Sequence, residues 1–239
     1  MVAKVKLRFV DANNCRTLLP PVQKVSLARI LDETLKLRFN DTSGDLHGSV
    51  DALIRHNMQT INRKRASKRL CESPIEIALF YNPDTSVVDI QPLKRPFPGH
   101  ANFQVIYLGK KITWKTVIPL QYLLKGWGDA NRGHQGYCHS ITQNMSQMRS
   151  FYDIQQMEQT RSNVFSYVGI TSRNWLIRFQ EHMGNMGRGS MLRFHRAWRE
   201  TMGEEDVHFI SELIEINMTE DEALDWEERI VDKIGPNRL

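Results

Sequence analysis

Hydrophobic and polar residues in the second half of the chain alternate in patterns that predict strands and helices in turn. β-rich apolar runs predict strands over residues 136–142, 164–170 and 207–216. Apolar positions three or four residues apart predict helices over residues 171–183, 191–202 and 219–234. Thr171 or Ser172 can cap the first of these helices, and Thr219 with Glu222 forms a capping box for the last.

The first half shows a mixture of the same two patterns. Strands are predicted over residues 2–10, 75–81, 86–90, 103–108 and 112–117. Helices are predicted over residues 25–39 and 50–70. The Pro-rich segment 93–99 is predicted to be a connector, and the Gly-rich segment 125–136 indicates a boundary. We therefore expect a basic mixed α/β region over residues 1–130 and a second α+β domain over residues 131–239.

Charge separates these two regions. Residues 1–130 carry 20 Lys and Arg against 11 Asp and Glu, whereas residues 131–239 carry 12 against 16. The segment 63–69, RKRASKR, holds five cations in seven residues, and six arginines lie between Arg173 and Arg199. A basic surface beside an acidic segment is typical of a protein that grips a polyanion and binds a divalent cation. Ordinary solvated helix faces would give the same pattern.

The apolar runs and the cysteines of the sequence indicate the cellular localisation of the protein. No apolar run approaches the about 18 residues of a transmembrane helix, and the N-terminus lacks the apolar stretch of a signal peptide. The three cysteines lie far apart and in no CxxC pair, which argues against a disulfide framework or a zinc site. We expect an intracellular protein, cytoplasmic in a prokaryote, with no membrane association.

Glu227 is a charged residue at an apolar position of the predicted last helix. At about 100° per residue, it falls within the apolar stripe of that helix, whereas Glu228 points to solvent. A carboxylate on an inward face must be paired, protonated or bound to a metal. A buried salt bridge, for example with Arg178, and a functional metal ligand both satisfy this condition.

The helix predicted over residues 171–183 supplies two further candidates. Arg178 and His182 are four residues apart, so they project from the same side of the helix. An arginine can hold a phosphate, and a histidine can orient or relay a proton. The preceding strand carries Tyr167 and Gly169, and the glycine permits close backbone approach. Each signal by itself is also compatible with a structural role.

The order of these residues resembles that of the GIY-YIG nuclease superfamily. The matching segments are YVGITSRNWLIRFQEH (167–182) and ALDWEERIVDKIGPN (223–237), within a stretch of about residues 134–239. The resemblance implies a small domain with a three-stranded antiparallel sheet flanked by helices. It leaves the first 130 residues unassigned.

The resemblance also implies roles for particular residues. Tyr167 corresponds to the tyrosine of the YIG half, and Arg178 to the arginine that contacts the scissile phosphate. His182 corresponds to the histidine that restriction-type members place one helical turn later. Glu227 corresponds to the glutamate that binds the single divalent metal, Mg²⁺ or Mn²⁺, and it lies nine residues before Pro236.

The sequence departs from the family pattern at two places. The first tyrosine is expected at Tyr137, with His139 as an accessory residue, and this choice implies an insertion before Tyr167. Tyr152 is the alternative, with a shorter spacing but no neighbouring glycine. The family's asparagine after the proline must be Asn237 or lie beyond Leu239.

These features predict a metal-dependent DNA endonuclease, most similar to a sequence-specific restriction endonuclease. A homing, mobile-element or repair nuclease and a catalytically inactive DNA-binding protein are the alternatives. Cutting both strands of double-stranded DNA requires two sites, so we expect a homodimer or a higher homo-oligomer. The predicted DNA contacts are Arg63, Lys64, Arg65, Lys68, Arg69, Arg173, Arg188 and Arg193.

Overall fold

The structure is a computed structural model of the 239-residue chain. The structure describes residues 6–19, 27–39, 73–82, 87–99, 102–108, 112–142, 165–201 and 207–234. The helix predicted over residues 50–70 lies outside these ranges. Among the described helices, none is both long enough and apolar enough to cross a membrane.

The described residues form seven strands, five α-helices and one short 3-10 helix. The strands are β1 (Ser73–Asn82), β2 (Val87–Gly99), β3 (Asn102–Leu108), β4 (Ile112–Pro119), β5 (His134–Thr142), β6 (Phe165–Thr171) and β7 (Val207–Met218). The helices are α1 (Ala12–Leu18), α2 (Leu27–Phe39), the 3-10 helix (Leu120–Leu123), α3 (Trp175–Gly187), α4 (Arg193–Thr201) and α5 (Glu220–Ile234).

All seven strands belong to one mixed sheet with the order β2-β1-β3-β4-β7-β5-β6. Strand β5 lies between β6 and β7 and pairs antiparallel with both, and β7 also pairs in parallel with β4. Residues 207–214 of β7 are buried without a break, which is typical of a central strand covered on both faces. The expectation of a separate three-stranded sheet is therefore corrected: those three strands are one end of a larger sheet.

The two regions expected on either side of residue 130 share one hydrophobic core. The main cluster of buried residues joins Phe9 and Leu31 from the first half to Tyr137, Trp175 and Leu213 from the second. Across the same boundary, the Trp114 ring of β4 stacks on the Phe179 ring of α3, with 5.1 Å between centroids. The two regions of the sequence thus stabilise each other through the β4–β7 pair and this core.

Two predictions for the first half are wrong, each for a physical reason. Residues 93–99 belong to β2, the edge strand, where prolines cost no ladder hydrogen bond on the open side. Among residues 6–10 the structure shows only a single bridge, from Val10 to Leu124. The buried carboxylate of Asp32 accepts the backbone N–H groups of Arg8, Phe9 and Val10 instead.

Of the two capping predictions for the second half, one is confirmed and the other is wrong. Thr219 and Glu222 form the expected reciprocal capping box, since Glu222 accepts from the Thr219 backbone N–H at 2.8 Å and Thr219 accepts from that of Glu222 at 3.3 Å. The cap of α3 is Asn174, whose side chain accepts from the Leu176 N–H at 2.8 Å. Thr171 still belongs to β6, so α3 begins later than predicted.

Candidate functional site

The register of β5 against β6 brings the two predicted tyrosines to one face of the sheet. Tyr137 lies opposite Gly169, and His139 lies opposite Tyr167. The rings of Tyr137 and His139 are 4.6 Å apart between centroids, and those of Tyr137 and Tyr167 are 6.4 Å apart. This face is covered by α3, so the three aromatic side chains gather between a strand pair and a helix.

Gly169 makes room for the tyrosine hydroxyl. A Cβ at this position would lie 2.8 Å from the Tyr137 hydroxyl oxygen and 3.0 Å from the Tyr167 ring. Those distances are shorter than van der Waals contact, so a larger residue would displace one of the tyrosines. The glycine of the YVG segment therefore has a steric function in the folded protein.

Helix α3 delivers Arg178 and His182 to this face. The His182 ring meets the Tyr167 ring edge-on, with 4.4 Å between centroids. The Arg178 side chain is 30% exposed and forms an ion pair with Glu181 one turn away, and Glu181 also pairs with Arg173 at 2.7 Å. The suggested salt bridge between Arg178 and Glu227 is replaced by the Arg178–Glu181 pair.

Glu227 approaches the same group of side chains from α5. It is half-buried, and burial raises the pKa of its carboxyl group, while the backbone N–H of Ile170 on β6 opposes that rise. Its negative charge raises the pKa of both Tyr137 and Tyr167. No salt bridge involves Glu227 among the residues that the structure describes, and its charge is close enough to both tyrosines to affect their pKa values.

The predicted tyrosines are neutral phenols in the isolated chain. Burial raises the pKa of Tyr137, and Arg178, close enough to the hydroxyl to stabilise a phenolate, partly opposes this. Yet the Tyr137 hydroxyl makes no hydrogen bond of ordinary geometry with a described residue, although its side chain is fully buried. Either tyrosine could act as a base only after a further positive charge or a polar group came close to it.

The His139 side chain is held by a polar contact with a serine of the neighbouring strand β7. Its Nδ1 lies 3.1 Å from the Ser211 Oγ, which also accepts from the Trp114 indole N–H at 3.2 Å. Burial, His182 and Arg178 lower the pKa of His139 well below its usual value, so the ring is neutral at physiological pH. His139 thus packs against Tyr137 as a neutral ring and adds no charge to the site.

A residue that the sequence argument missed is His195 on α4. Its Nε2 lies 2.9 Å from the Nδ1 of His182, and both rings are buried. The signal was present in the sequence, because His195 lies beside Phe194, Ala197 and Trp198 on the apolar side of the predicted helix. At about 100° per residue, His195 is a polar residue on an apolar helix face, as Glu227 is on its own helix.

The remaining predicted site residues are distributed as follows. Three of them are exposed: Arg173 lies just before α3, Arg188 at the C-terminal cap of α3, and Arg193 on α4. The alternatives Tyr152 and Asn237 lie outside the described residues. So does the basic segment that supplies Arg63, Lys64, Arg65, Lys68 and Arg69.

The donor groups of the site fit one particular kind of metal binding. Within the described ranges, no three or more Asp, Glu, His or Cys side chains gather as a metal cage. Mg²⁺ is commonly held by one or two carboxylates, with water and substrate phosphate oxygens completing its shell. Glu227, half-buried and close enough to the tyrosines to raise their pKa values, fits such a role, whereas Glu181 is occupied by Arg173 and Arg178.

Comparison of the chain with protein-family models, with curated proteins and with solved structures found no match.

Proposed function

We propose that the chain is a metal-dependent DNA endonuclease of the GIY-YIG type, with its catalytic site on the β5–β6 face. The observation that carries the proposal is the convergence of Tyr137, Tyr167, Arg178, His182 and Glu227 from five separate positions in the sequence. Three antiparallel strands in the order β7-β5-β6, with helices packed on them, support the family's layout as the core of this end of the sheet.

The side chains divide the work of phosphodiester hydrolysis between them. Arg178 binds a non-bridging oxygen of the scissile phosphate and neutralises the charge that develops on it in the transition state. Tyr137 takes the proton of the attacking water, and Tyr167 packs beside it. His182 holds the tyrosine or the water in position through its ring contact with Tyr167.

Glu227 holds the divalent cation, Mg²⁺ or Mn²⁺. When bound, the cation supplies positive charge near the phosphate and the leaving oxygen. The raised pKa of Glu227 fits this role, because a carboxylate with little solvation gains more from a nearby cation than an exposed one does. Positive charge at this position also lowers the pKa of the tyrosines, which burial raises.

Double-stranded DNA is the proposed substrate because the exposed cations lie near the site. Helix α4 carries Arg193, Arg196 and Arg199 on exposed positions spaced by three residues, and Arg188 is exposed at the end of α3. Such a row can follow a phosphate backbone and gives affinity without reading bases. A sequence-specific restriction endonuclease that acts as a homodimer is the form we favour, because each chain offers one catalytic site.

The test is cleavage of supercoiled plasmid DNA in Mg²⁺ by the full chain. We expect the wild type to cut and to lose activity with a chelator. Glu227→Gln and Arg178→Ala are each expected to lose about 10²- to 10³-fold in rate. Glu228→Gln and Arg229→Ala, at exposed neighbouring positions on α5, are the matched controls and should cut normally.

Near-normal cutting by Glu227→Gln or Arg178→Ala would refute the site assignment. Binding of plasmid DNA without any cutting in Mg²⁺ or Mn²⁺ would instead identify a DNA-binding protein that keeps the fold. Discrete fragments from double-strand cuts at one short motif would support the restriction type, whereas single-strand nicks would favour a repair nuclease.

A further inference from the structure

The pair of buried histidines between α3 and α4 has a role beyond packing. We propose that His195 is a positioning residue, whose Nε2–H donates to Nδ1 of His182 and so makes Nε2 of His182 a hydrogen-bond donor to the site. The proposal rests on the nuclease function proposed above, and it adds a residue from a helix that the family resemblance does not assign.

The geometry shows a single strong link between the two rings. Nδ1 of His182 and Nε2 of His195 are 2.9 Å apart, a normal hydrogen-bond length. The rings meet at 62°, with 5.1 Å between centroids. His182 is 4% exposed and His195 is fully buried, so water has little access to this bond. One proton must lie between the two nitrogens.

Both histidines are neutral, which leaves two arrangements of that proton. Burial lowers the pKa of His182 to about 4, with His195 and Arg178 acting in the same direction. Burial and Arg199 lower the pKa of His195 as well. A neutral imidazole carries a proton on only one nitrogen. Either His182 donates and keeps a bare Nε2, or His195 donates and His182 carries its proton on Nε2.

The surroundings favour donation by His195. If His182 donated, the proton of His195 would sit on Nδ1, which has no hydrogen-bond partner among the described residues in a fully buried ring. An unpaired N–H in such a place is costly. If His195 donates, the N–H without a protein partner belongs to His182, whose Nε2 is also buried but whose ring touches Tyr167 of the proposed site. There a phosphate oxygen or a developing tyrosinate can accept it.

The fold makes this link depend on α4. Helix α3 supplies His182, but α4 supplies the group that orients it, and α4 also carries the exposed arginines. Phe194 of α4 packs near both Tyr167 and His182, with centroid distances of 5.8 and 6.2 Å. The position of His182 is therefore set by the helix proposed to face the DNA backbone.

Side-chain ¹⁵N NMR of the full chain tests the proton arrangement without any need for activity. His182→Gln identifies the His182 signals by their loss. We expect wild-type His182 to show a protonated Nε2 and a bare, hydrogen-bonded Nδ1. His195→Ala should convert His182 to a mixture of tautomers, and His195→Gln, whose amide can replace the donor, should restore the wild-type pattern.

Cleavage kinetics give the second readout. His195→Ala is expected to lower kcat roughly 10-fold or more with little change in KM, and His195→Gln should recover most of it. Adding His195→Ala to His182→Gln should cost little more than the single change, because both remove one function. Thr201→Ala is the control, since Thr201 is buried on α4 but bonds only within its own helix.

The outcomes separate this proposal from the nuclease proposal. A wild-type His182 with its proton on Nδ1, or a tautomer that His195→Ala leaves unchanged, overturns the role of His195 whether or not the chain cuts DNA. So does wild-type kcat in His195→Ala when His182→Gln is impaired. A chain that shows the expected tautomers but cuts no DNA would contradict the nuclease proposal alone.

Discussion

The two faces of strands β5, β6 and β7 are both buried, but different side chains build them. The face under α3 and α4 carries Tyr137, His139 and Tyr167. The opposite face packs against α5 and carries a smaller, mainly apolar group: Cys138, Val168, Ile214 and Met218, with Ala223 and Trp226 from the helix. We refer to them as the tyrosine face and the α5 face.

The two faces differ in whether their buried polar side-chain atoms are hydrogen-bonded. On the α5 face, the hydroxyl oxygens of Ser140 and Ser166 are 2.8 Å apart, and the Cys138 Sγ lies 3.6 Å from Ser140. On the tyrosine face, the Tyr137 hydroxyl and the Nε2 atoms of His139 and His182 make no hydrogen bond with the described residues. Buried polar atoms are nearly always paired in proteins, and exceptions concentrate at functional sites. This difference agrees with the proposal that the tyrosine face carries the catalytic site, whereas the α5 face contributes to stability.

Removal of the Tyr137 hydroxyl should give the largest effect and separates activity from stability. Tyr137→Phe keeps the ring packing but is expected to lower the cleavage rate about 10²-fold or more. Its free energy of unfolding should stay equal or rise, because an unpaired buried hydroxyl is removed. Activity is measured on plasmid DNA and stability by urea denaturation.

Tyr122→Phe is the matched control for that experiment. The Tyr122 hydroxyl is also buried, but it donates to a Glu215 carboxylate oxygen at 2.7 Å. Its loss should cost about 1–3 kcal/mol of stability and leave cutting unchanged. A loss of stability in Tyr137→Phe as large as in Tyr122→Phe would contradict the distinction between the two tyrosines.

Two glycines allow the same substitution to be made on each face. An added Cβ at Gly136 would lie 2.8 Å from the Trp226 ring on the α5 face, and one at Gly169 would meet the Tyr137 hydroxyl at the same distance. Gly136→Ala should lower stability by about 1–3 kcal/mol through overpacking. Gly169→Ala should lower the cleavage rate roughly 10-fold by displacing the tyrosine. Equal activity losses in the two variants would show that the faces are not functionally distinct.

The serine pair of the α5 face should affect stability alone. Ser140→Ala leaves the Ser166 hydroxyl without its partner at 2.8 Å and removes the contact to Cys138. We expect a loss of about 1 kcal/mol in the free energy of unfolding and an unchanged cleavage rate. Thermal unfolding and the plasmid assay measure the two quantities, and a fall in cleavage without a fall in stability would assign chemistry to this face.

The last expected effect is a pH dependence of stability, to which His182 and Glu227 contribute in opposite senses. His182 has an ordinary pKa of 6.5 and a folded pKa of about 4, so the unfolded state binds the proton first on acidification. Its contribution to stability is complete above pH 6.5 and is lost as the pH falls towards 4. The raised pKa of Glu227 acts in the opposite sense, because the folded state then binds the proton more readily.

The His182 contribution is isolated by comparison with His182→Gln. Urea denaturation between pH 7.5 and pH 4 should show a shallower loss of stability in the variant than in the wild type. A wild type that becomes more stable on acidification relative to the variant would mean that His182 is charged in the folded protein.

The local elements of the second half could be predicted from the sequence because their signals are local. Strands β5, β6 and β7 and helices α3, α4 and α5 lie close to their predicted positions, since periodicity and capping act over a few residues. In the first half, the carboxylate of Asp32 accepts hydrogen bonds from the backbone N–H groups of residues 8–10. A local sequence pattern cannot predict this partner, because it lies 22 to 24 residues away. The prolines of β2 likewise predict a connector, because the place of β2 at the edge of the sheet is set by strands elsewhere in the chain.

The sequence by itself determined which residues are candidates and on which elements they lie. Glu227 was selected by its helical position, and Arg178 and His182 by their four-residue spacing. Tertiary structure alone decided which side chains meet: the β5–β6 register sets Tyr137 against Gly169, and the packing of α4 on α3 joins His195 to His182. Spacing along one helix is dictated by backbone geometry, whereas contact between elements depends on register and packing, which residues far apart in the chain determine together.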